Sequence, residues 1–188
     1  MTSTILRGKV AVVGDWGVGK TSIVQQFIAM GAGFPKNYSM TLGCELSTKQ
    51  VNIPDQEEAV ELLFIDSSGR DMYVDLLKTV WENISMIMVV VDVTKEETYG
   101  KARLLIDHIK ELNKDKSLSG VVLANKIDLT ERRQVPAKTG AELASGYGLL
   151  YFECSAKSYQ GIEEPCFYLA NEWHKLHADT ADSLAIIA

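Results

Sequence analysis

The sequence predicts an α/β fold in which a mostly parallel six-stranded sheet, with one antiparallel strand, carries helices on both faces. Short apolar runs alternate with longer amphipathic stretches, and the apolar runs are continuous in valine, isoleucine and leucine. Continuous apolar strands are typical of parallel sheets whose two faces are both covered by helices. The chain has 188 residues and no internal repeat or linker, which indicates one domain with a full hydrophobic core.

The first third of the chain contains a strand, a helix and a hairpin. Residues 8–14 form an apolar run that ends at a glycine, which predicts a buried strand followed by a turn. Residues 21–30 are predicted to form a helix. Residues 43–53 and 60–66 are strand candidates, and the polar segment 54–57 between them begins with proline, which suits a hairpin.

The middle of the chain alternates helices with buried strands. A helix is predicted over 71–83 and a fully buried strand over 85–93. The longest helix candidate, 96–113, has apolar residues at helical spacing, and another buried strand follows at 121–124. This alternation predicts parallel strands joined by helices.

The last third continues the same alternation. A helix over 136–145 begins with proline, which suits a first helical turn, and a strand over 149–153 follows. The closing helix, 162–176, tolerates Pro165 because this residue lies in its first turn. The boundaries are expected to be correct within about two to four residues.

Composition and charge exclude several function classes. The net charge of -6 predicts no broad basic surface for nucleic acid or anionic lipid. The three cysteines fit neither a disulfide framework nor a zinc cluster, which favours a reduced, intracellular setting.

No direct membrane anchor is expected. The chain lacks a signal peptide, and its longest apolar run, Met86 to Val91, is too short to cross a bilayer. The domain is predicted to span 1–177, which leaves 178–188 as a short tail. This tail contains no cysteine for a prenyl group and no run of lysines for electrostatic attachment.

A phosphate-binding loop is predicted between the first strand and the first helix. Gly14-x-x-x-x-Gly19-Lys20-Thr21 matches the Walker A pattern, in which glycines let backbone N–H groups converge on phosphates at a helix N-terminus. Lys20 would place its cation on the β- and γ-phosphates, and the Thr21 hydroxyl would coordinate Mg²⁺. The alternative is a glycine turn with a chance lysine and threonine. The predicted phosphate contacts are Asp15, Gly17, Val18, Gly19, Lys20, Thr21 and Ser22.

Two further motifs are predicted to follow buried strands. They are Asn125-Lys126-Ile127-Asp128 and Glu153-Cys154-Ser155-Ala156-Lys157. With the phosphate loop, they resemble the Ras superfamily of small GTPases, and within it the Rab branch, which implies a G domain that binds GTP or GDP with Mg²⁺. Taken alone, the first motif is more often a solvated turn.

The resemblance assigns a role to each residue of these motifs. Asp128 would accept hydrogen bonds from guanine N1 and the 2-amino group, and adenine would leave this carboxylate unpaired. Asn125 would tie the pocket together, and the stem of Lys126 would pack along the base. Backbone N–H groups of the loop formed by Ser155, Ala156 and Lys157 would reach guanine O6.

Residues that sense the γ-phosphate are also expected from the resemblance. Residues 38–43 are similar to the Rab switch I segment, in which Thr41 would bind Mg²⁺ and the γ-phosphate. Asp66-Ser67-Ser68-Gly69 matches the Asp-x-x-Gly motif. Asp66 would therefore hold Mg²⁺ through water, and the Gly69 N–H would contact the γ-phosphate. Phe34 aligns with the aromatic that stacks on guanine, although an ordinary core phenylalanine is the alternative.

Two departures from the family concern hydrolysis. Arg70 occupies the position of the glutamine that orients the attacking water, and a guanidinium is donor-only. Trp16 stands at a phosphate-loop position that is small in fast GTPases, where an indole would crowd the γ-phosphate side. Together they predict intact binding and weak hydrolysis. The alternative is that Arg70 acts as an internal finger that stabilises transition-state charge.

Residues outside the nucleotide motifs resemble the Rab-like small GTPases of intraflagellar transport complex B. Three Rab features are missing together: the C-terminal cysteines, the tryptophan before Asp66 (here Ile65) and the catalytic glutamine. The similar segments are 35–41, 52–55, 60–66, Trp81-Glu82 and Glu164-Pro165. This resemblance implies a location in the cytoplasm and the cilium or flagellum. It also implies a heterodimer with a small β-sandwich subunit inside the larger complex.

Two other functions remain open at this point. A turnover GTPase in vesicle traffic would need an activating protein and a means of membrane attachment. A P-loop kinase or ATPase is disfavoured by Asn125 and Asp128, which match a guanine pocket.

Overall fold

The computed structural model describes residues 5–35, 37, 39–54, 56 and 58–185, with side chains described up to residue 177. Six strands and five α-helices form the described fold, and their bounds follow in chain order. They are β1 (Ile5–Val13), α1 (Lys20–Ile28), β2 (Cys44–Asn52), β3 (Ala59–Ser67), α2 (Val74–Trp81), β4 (Met86–Asp92), α3 (Glu97–Leu112), β5 (Ser119–Asn125), α4 (Ala137–Gly146), β6 (Leu150–Glu153) and α5 (Glu163–Ala185).

The six strands form one sheet in the order β2-β3-β1-β4-β5-β6. The β2–β3 pair is antiparallel and forms the predicted hairpin, whereas all other neighbouring pairs are parallel. Asp55 and Glu57 of the predicted hairpin turn lie outside the described residues. The predicted mostly parallel sheet with one antiparallel strand is therefore confirmed.

Each face of the sheet packs against its own set of helices. Val10 and Val12 of β1 point to the face covered by α1 and α5, and Ala11 and Val13 point to the face covered by α2, α3 and α4. Every residue of β4, the central strand beside β1, is buried. Burial on both faces explains why this strand is a continuous apolar run.

Two helices differ from the prediction at their ends. The predicted helix 71–83 begins as a 3₁₀ turn over Asp71–Tyr73, and its α-helical part ends at Trp81. The last helix continues to Ala185 instead of ending at residue 176, because no glycine or proline interrupts its C-terminal part. In the described part of the chain, no helix is both long and apolar enough to cross a membrane. Residues 186–188 of the predicted tail lie outside the described residues.

The parallel strands bring all the sequence motifs to one edge of the sheet. The carboxyl ends of β1, β3, β5 and β6 lead into the four motif loops, and β2, which runs the other way, starts at this edge. Ligands of open parallel α/β sheets bind in the crevice at this edge.

Candidate nucleotide-binding site

The loop between β1 and α1 follows a backbone path that requires glycine at two positions. Gly14 and Gly19 have φ angles of 147° and 101°, in the region that L-residues rarely adopt. A Cβ atom would lie 2.2 Å from the Val90 carbonyl oxygen at Gly14, and 2.3 Å from the Asn125 Nδ2 at Gly19. The loop can therefore approach β4 and the Asn125 amide only with glycine at these positions.

Lys20 is buried at the start of α1, with its ammonium group facing the loop. Its Nζ donates to the carbonyl oxygens of Gly14, at 3.0 Å, and Asp15, at 2.7 Å. Burial lowers the pKa of Lys20 to about 8, against the opposing effect of the Asp66 and Asp15 charges. An ammonium has three donors, so one remains for a phosphate oxygen after the two loop carbonyls are satisfied.

Three oxygen-bearing side chains meet beside Lys20. The Thr21 hydroxyl donates to Asp66 Oδ2 at 2.5 Å and lies 3.0 Å from the Thr41 hydroxyl. Asp66 Oδ1 is buried without a hydrogen-bond partner in the described structure, and burial raises the pKa of Asp66 to about 6. Oxygen ligands and an unpartnered carboxylate oxygen fit Mg²⁺, which also retains water and phosphate ligands. The described residues contain no cluster of three or more His, Cys, Asp or Glu side chains that could hold a metal.

A cavity of about 370 Å³ connects these groups to the base motifs. Lys20, Thr21 and Gly69 line its phosphate end, and Asn125 and Asp128 line its base end. The other predicted residues that line it are Gly17, Gly19, Ser22, Phe34, Thr41, Arg70, Lys126, Ala156 and Lys157.

Four predicted residues lie behind the cavity wall and contact the residues that form it. Asp15 and Val18 present backbone carbonyls to Lys20 and Asn125, and Asp66 accepts from Thr21. Ser155 donates to Asp128. These four are therefore placed to support residues at the cavity wall.

Asn125 joins three loops through one amide. Its Nδ2 donates to the Val18 carbonyl at 2.8 Å, and its Oδ1 accepts from the Ala156 N–H at 3.0 Å. Lys126 adds a second connection, because its Nζ donates to the Gly17 carbonyl at 2.7 Å and pairs with the buried Asp92 carboxylate at 2.5 Å. Hydrogen bonds therefore connect the base end of the cavity directly to the phosphate loop.

Asp128 is held at the base end by the neighbouring motif. The Ser155 hydroxyl donates to Asp128 Oδ1 at 2.6 Å and accepts from the Ser158 N–H at 3.1 Å. Phe34 lines the same cavity and is 44% exposed, so the alternative of an ordinary core phenylalanine is wrong. A carboxylate can accept hydrogen bonds from a purine with donors at N1 and C2, and an aromatic ring can stack on the face of any base.

Gln26 is a buried contact that sequence reasoning missed. Its Nε2 donates to the Ala156 carbonyl at 2.6 Å, and its Oε1 accepts from the Gly33 N–H at 3.0 Å. One side chain therefore links the loop after β6 to the residue that precedes Phe34. The sequence carries no signal that identifies it, because Gln25 and Gln26 both lie between buried Val24 and Phe27 and only the fold buries Gln26.

Replacing Gln26 by alanine is expected to weaken GTP binding about tenfold and to lower the free energy of unfolding by about 1–3 kcal/mol. The Ala156 carbonyl and the Gly33 N–H would lose their buried partner, and an unsatisfied buried polar group costs this amount. Calorimetric titration with GTP and denaturant unfolding measure the two effects. Gln50→Ala, on the exposed part of β2, is the matched control; equal values for both variants would contradict the assigned role.

A second missed contact lies behind the base loops. Arg133 pairs with Glu153 through two hydrogen bonds, one of them 3.2 Å from Nη1 to Oε2, and the Tyr151 hydroxyl donates to Glu153 Oε1 at 2.7 Å. The hydrogen bonds from Arg133 lower the pKa of Glu153, which keeps this carboxylate ionised. The pair connects the segment after Asp128 to the end of β6.

Comparison with known proteins agrees with this geometry. The Ras family pattern matches residues 9–175. The chain is 34% identical to the human intraflagellar transport protein 27 homolog over 97% of this chain and 98% of that protein. It is 32% identical to intraflagellar transport protein 27 of Chlamydomonas reinhardtii over 93% and 87%, and 28% identical to Ras-related protein Rab-8B of Dictyostelium discoideum over 92% and 82%. The chain therefore belongs to the Ras family, as a Rab-like member similar to the intraflagellar transport protein 27 homologues.

Proposed function

We propose that this chain is a GTP-binding subunit of the intraflagellar transport machinery that binds nucleotide with Mg²⁺ and hydrolyses it slowly. The observation that carries the proposal is a complete nucleotide cavity with Arg70 in the position of the catalytic glutamine. The names of the relatives with 32–36% identity over most of the chain support the transport role. We place its action in the cytoplasm and the cilium or flagellum.

The residues of the phosphate end support magnesium binding. Thr21 and Thr41 offer hydroxyl oxygens, and Asp66 offers its buried carboxylate through a water molecule. A bound Mg²⁺ would neutralise charge on the β- and γ-phosphates. Lys20 would complete this neutralisation from the other side of the loop.

The chemistry of Arg70 supports slow hydrolysis. The family's glutamine orients the attacking water with a side chain that both donates and accepts hydrogen bonds. The Arg70 guanidinium offers donors only, so it cannot accept a hydrogen bond from the water. Arg70 also lies over the Trp16 ring, with 5.4 Å from its Cζ to the ring centroid. Because the guanidinium contacts the indole, it is not free to stabilise transition-state charge as an internal arginine finger would.

The Arg70→Gln variant is expected to hydrolyse GTP about tenfold faster than the wild type. The wild-type rate is expected to lie below the rate of about 10⁻⁴ s⁻¹ that is typical of intrinsic turnover in this class. Single-turnover assays with γ-labelled GTP and Mg²⁺ give both rates. A wild-type rate equal to that of ordinary Rab proteins, unchanged by the substitution, would overturn the prediction.

The proposed partner is a small β-sandwich subunit in a heterodimer, which joins the larger transport complex B. The support is the resemblance to Rab-like transport GTPases and the names of the relatives. Affinity purification of the tagged chain from ciliated cells, followed by mass spectrometry, tests this role. Recovery of transport-complex subunits is expected, and their absence would overturn the assignment while leaving the nucleotide chemistry in place.

A turnover GTPase in vesicle traffic is the second candidate, favoured by the 28% identity to Rab-8B proteins over most of the chain. Flotation of the purified chain with anionic vesicles distinguishes the two candidates. Retention on vesicles without any partner protein would favour the traffic role.

A further inference from the structure

The indole of Trp16 lies on the exposed side of the phosphate loop between two cations. The ring centroid is 5.4 Å from Arg70 Cζ and 5.1 Å from Lys95 Nζ. Cations within about 6 Å of an aromatic centroid are attracted to the ring. Trp16 is 50% exposed, so about half of its surface remains open to solvent beside these two cations.

The backbone next to Arg70 approaches the phosphate loop closely. A Cβ atom at Gly69 would lie 2.3 Å from the Trp16 backbone nitrogen. On the other side of Arg70, Asp71 forms an ion pair with Lys101 of α3. Residues 69–71 therefore lie against the phosphate loop at one end and pair with α3 at the other.

Trp16, Gly69 and Arg70 also form a wall between two cavities. All three line the nucleotide cavity, and all three line a second groove of about 680 Å³ beside α3. Lys101 and Leu104 of α3 form part of the far side of this groove. The wall stands at the phosphate end of the nucleotide cavity, next to Lys20 and Thr21.

We propose that Trp16, Arg70 and Lys95 form a cation–π clamp that closes the phosphate end of the nucleotide cavity and slows the release of GTP. In this clamp Arg70 is a positioning residue, which acts through the Trp16 ring. The inference rests on the proposed GTP binding and adds a reason why bound nucleotide stays in place.

The clamp adds a side-chain contact between two segments that follow different strands. Trp16 belongs to the loop after β1, whereas Arg70 follows β3. When Arg70 stays on the indole, residues 69–71 cannot move away from the phosphate loop, and the wall toward the α3 groove remains closed. Lys95 strengthens the contact from the loop after β4.

Release of a fluorescent, non-hydrolysable GTP analogue, chased by excess GTP, tests the clamp in a double-mutant cycle. Arg70→Ala is expected to speed release about two- to fivefold, the factor that corresponds to one exposed cation–π contact. Trp16→Ala is expected to speed it at least as much, because both cations lose the ring. The double variant is expected to release no faster than Trp16→Ala alone, because Arg70 acts only through the indole.

Conservative variants separate the clamp from a general structural effect. Arg70→Lys and Trp16→Tyr keep a cation and a ring, so wild-type release rates should return. Arg103→Ala removes an exposed arginine of α3 that does not contact Trp16, and it should leave release unchanged.

Two results would overturn the clamp. The first is that Arg70→Ala and Trp16→Ala multiply their effects in the double variant, and the second is that Arg70→Lys releases as fast as Arg70→Ala. Fast hydrolysis in the wild type would instead overturn the proposed function and leave the release rates unaffected, so the two failures are distinguishable.

Discussion

Replacing Lys20 by alanine is expected to weaken GTP binding about 100- to 1000-fold. Lys20 supplies a buried cation whose Nζ lies within 3.0 Å of two loop carbonyls, which fixes it beside the position of the phosphates. Removing one partner of a buried, hydrogen-bonded charge pair costs about 2–5 kcal/mol, most of it from the group left unpaired. In this variant the unpaired groups are the β- and γ-phosphate oxygens. Calorimetric titration with GTP and Mg²⁺ gives the change in affinity.

The Lys20 variant needs a control for folding because the Gly14 and Asp15 carbonyls lose a donor. Removing a buried ammonium also removes the cost of its desolvation, so the free energy of unfolding without nucleotide is expected to change by less than about 2 kcal/mol. Lys9→Ala, on the exposed part of β1, removes the same charge away from the phosphate loop and should leave GTP affinity unchanged. A Lys20→Ala variant that is stably folded and binds GTP as well as Lys9→Ala would contradict the assigned role.

The elements that can be predicted from the sequence are those whose burial follows directly from a local run of apolar residues. Residues 86–91 are apolar without interruption, and the structure buries all of them in β4, so the apolar pattern and the burial agree. The ends of helices are different because several stopping points have similar energies. The last helix shows this: residues 177–185 contain no breaker, and the helix continues through them. The predicted helix 71–83 shows the reverse, because its first turn, Asp71–Tyr73, is a 3₁₀ turn that precedes α2.

Residues of the candidate site can be predicted where they belong to contiguous sequence motifs. Residues 14–21 and 125–128 carry their spacing in the sequence, and the structure brings both to the same cavity. Gln26 was not predictable in this way, because its partners Gly33 and Ala156 lie on other segments and the second is 130 positions away in the chain. A buried amide on a helix looks like any surface glutamine until the fold places its partners.

Only the fold shows how the two residues that depart from the family, Trp16 and Arg70, are related. In the sequence, Trp16 is a bulky residue of the phosphate loop and Arg70 replaces the catalytic glutamine, and no pattern indicates a contact between them. The structure places them in contact, with Lys95 as a third member that no motif indicated. Two substitutions that appear independent in sequence therefore form one physical unit, and their effects on nucleotide should be measured together.

Replacing Asp128 by alanine is expected to weaken GTP binding at least about 100-fold and to remove discrimination between GTP and ITP. Asp128 lies at the base end of the cavity with Oδ1 held by the Ser155 hydroxyl at 2.6 Å. A hydrogen bond to a charged group contributes about 1.5–3 kcal/mol, and guanine would donate two of them to this carboxylate. Competition binding against a fluorescent GTP analogue measures affinities for GTP, ITP and ATP.

ITP makes this test specific because hypoxanthine lacks only the 2-amino group of guanine. The wild type is expected to prefer GTP over ITP about 10- to 100-fold, the value of one charge-assisted hydrogen bond, whereas Asp128→Ala should bind both equally.

Ser155→Ala is the matched control, since it removes the hydrogen bond to Asp128 but keeps the carboxylate. It should weaken GTP and ITP by the same factor of about five, because one neutral donor is lost and base discrimination is retained. A Ser155 variant that loses the preference while Asp128→Ala keeps it would mean that the hydroxyl, and not the carboxylate, reads the 2-amino group.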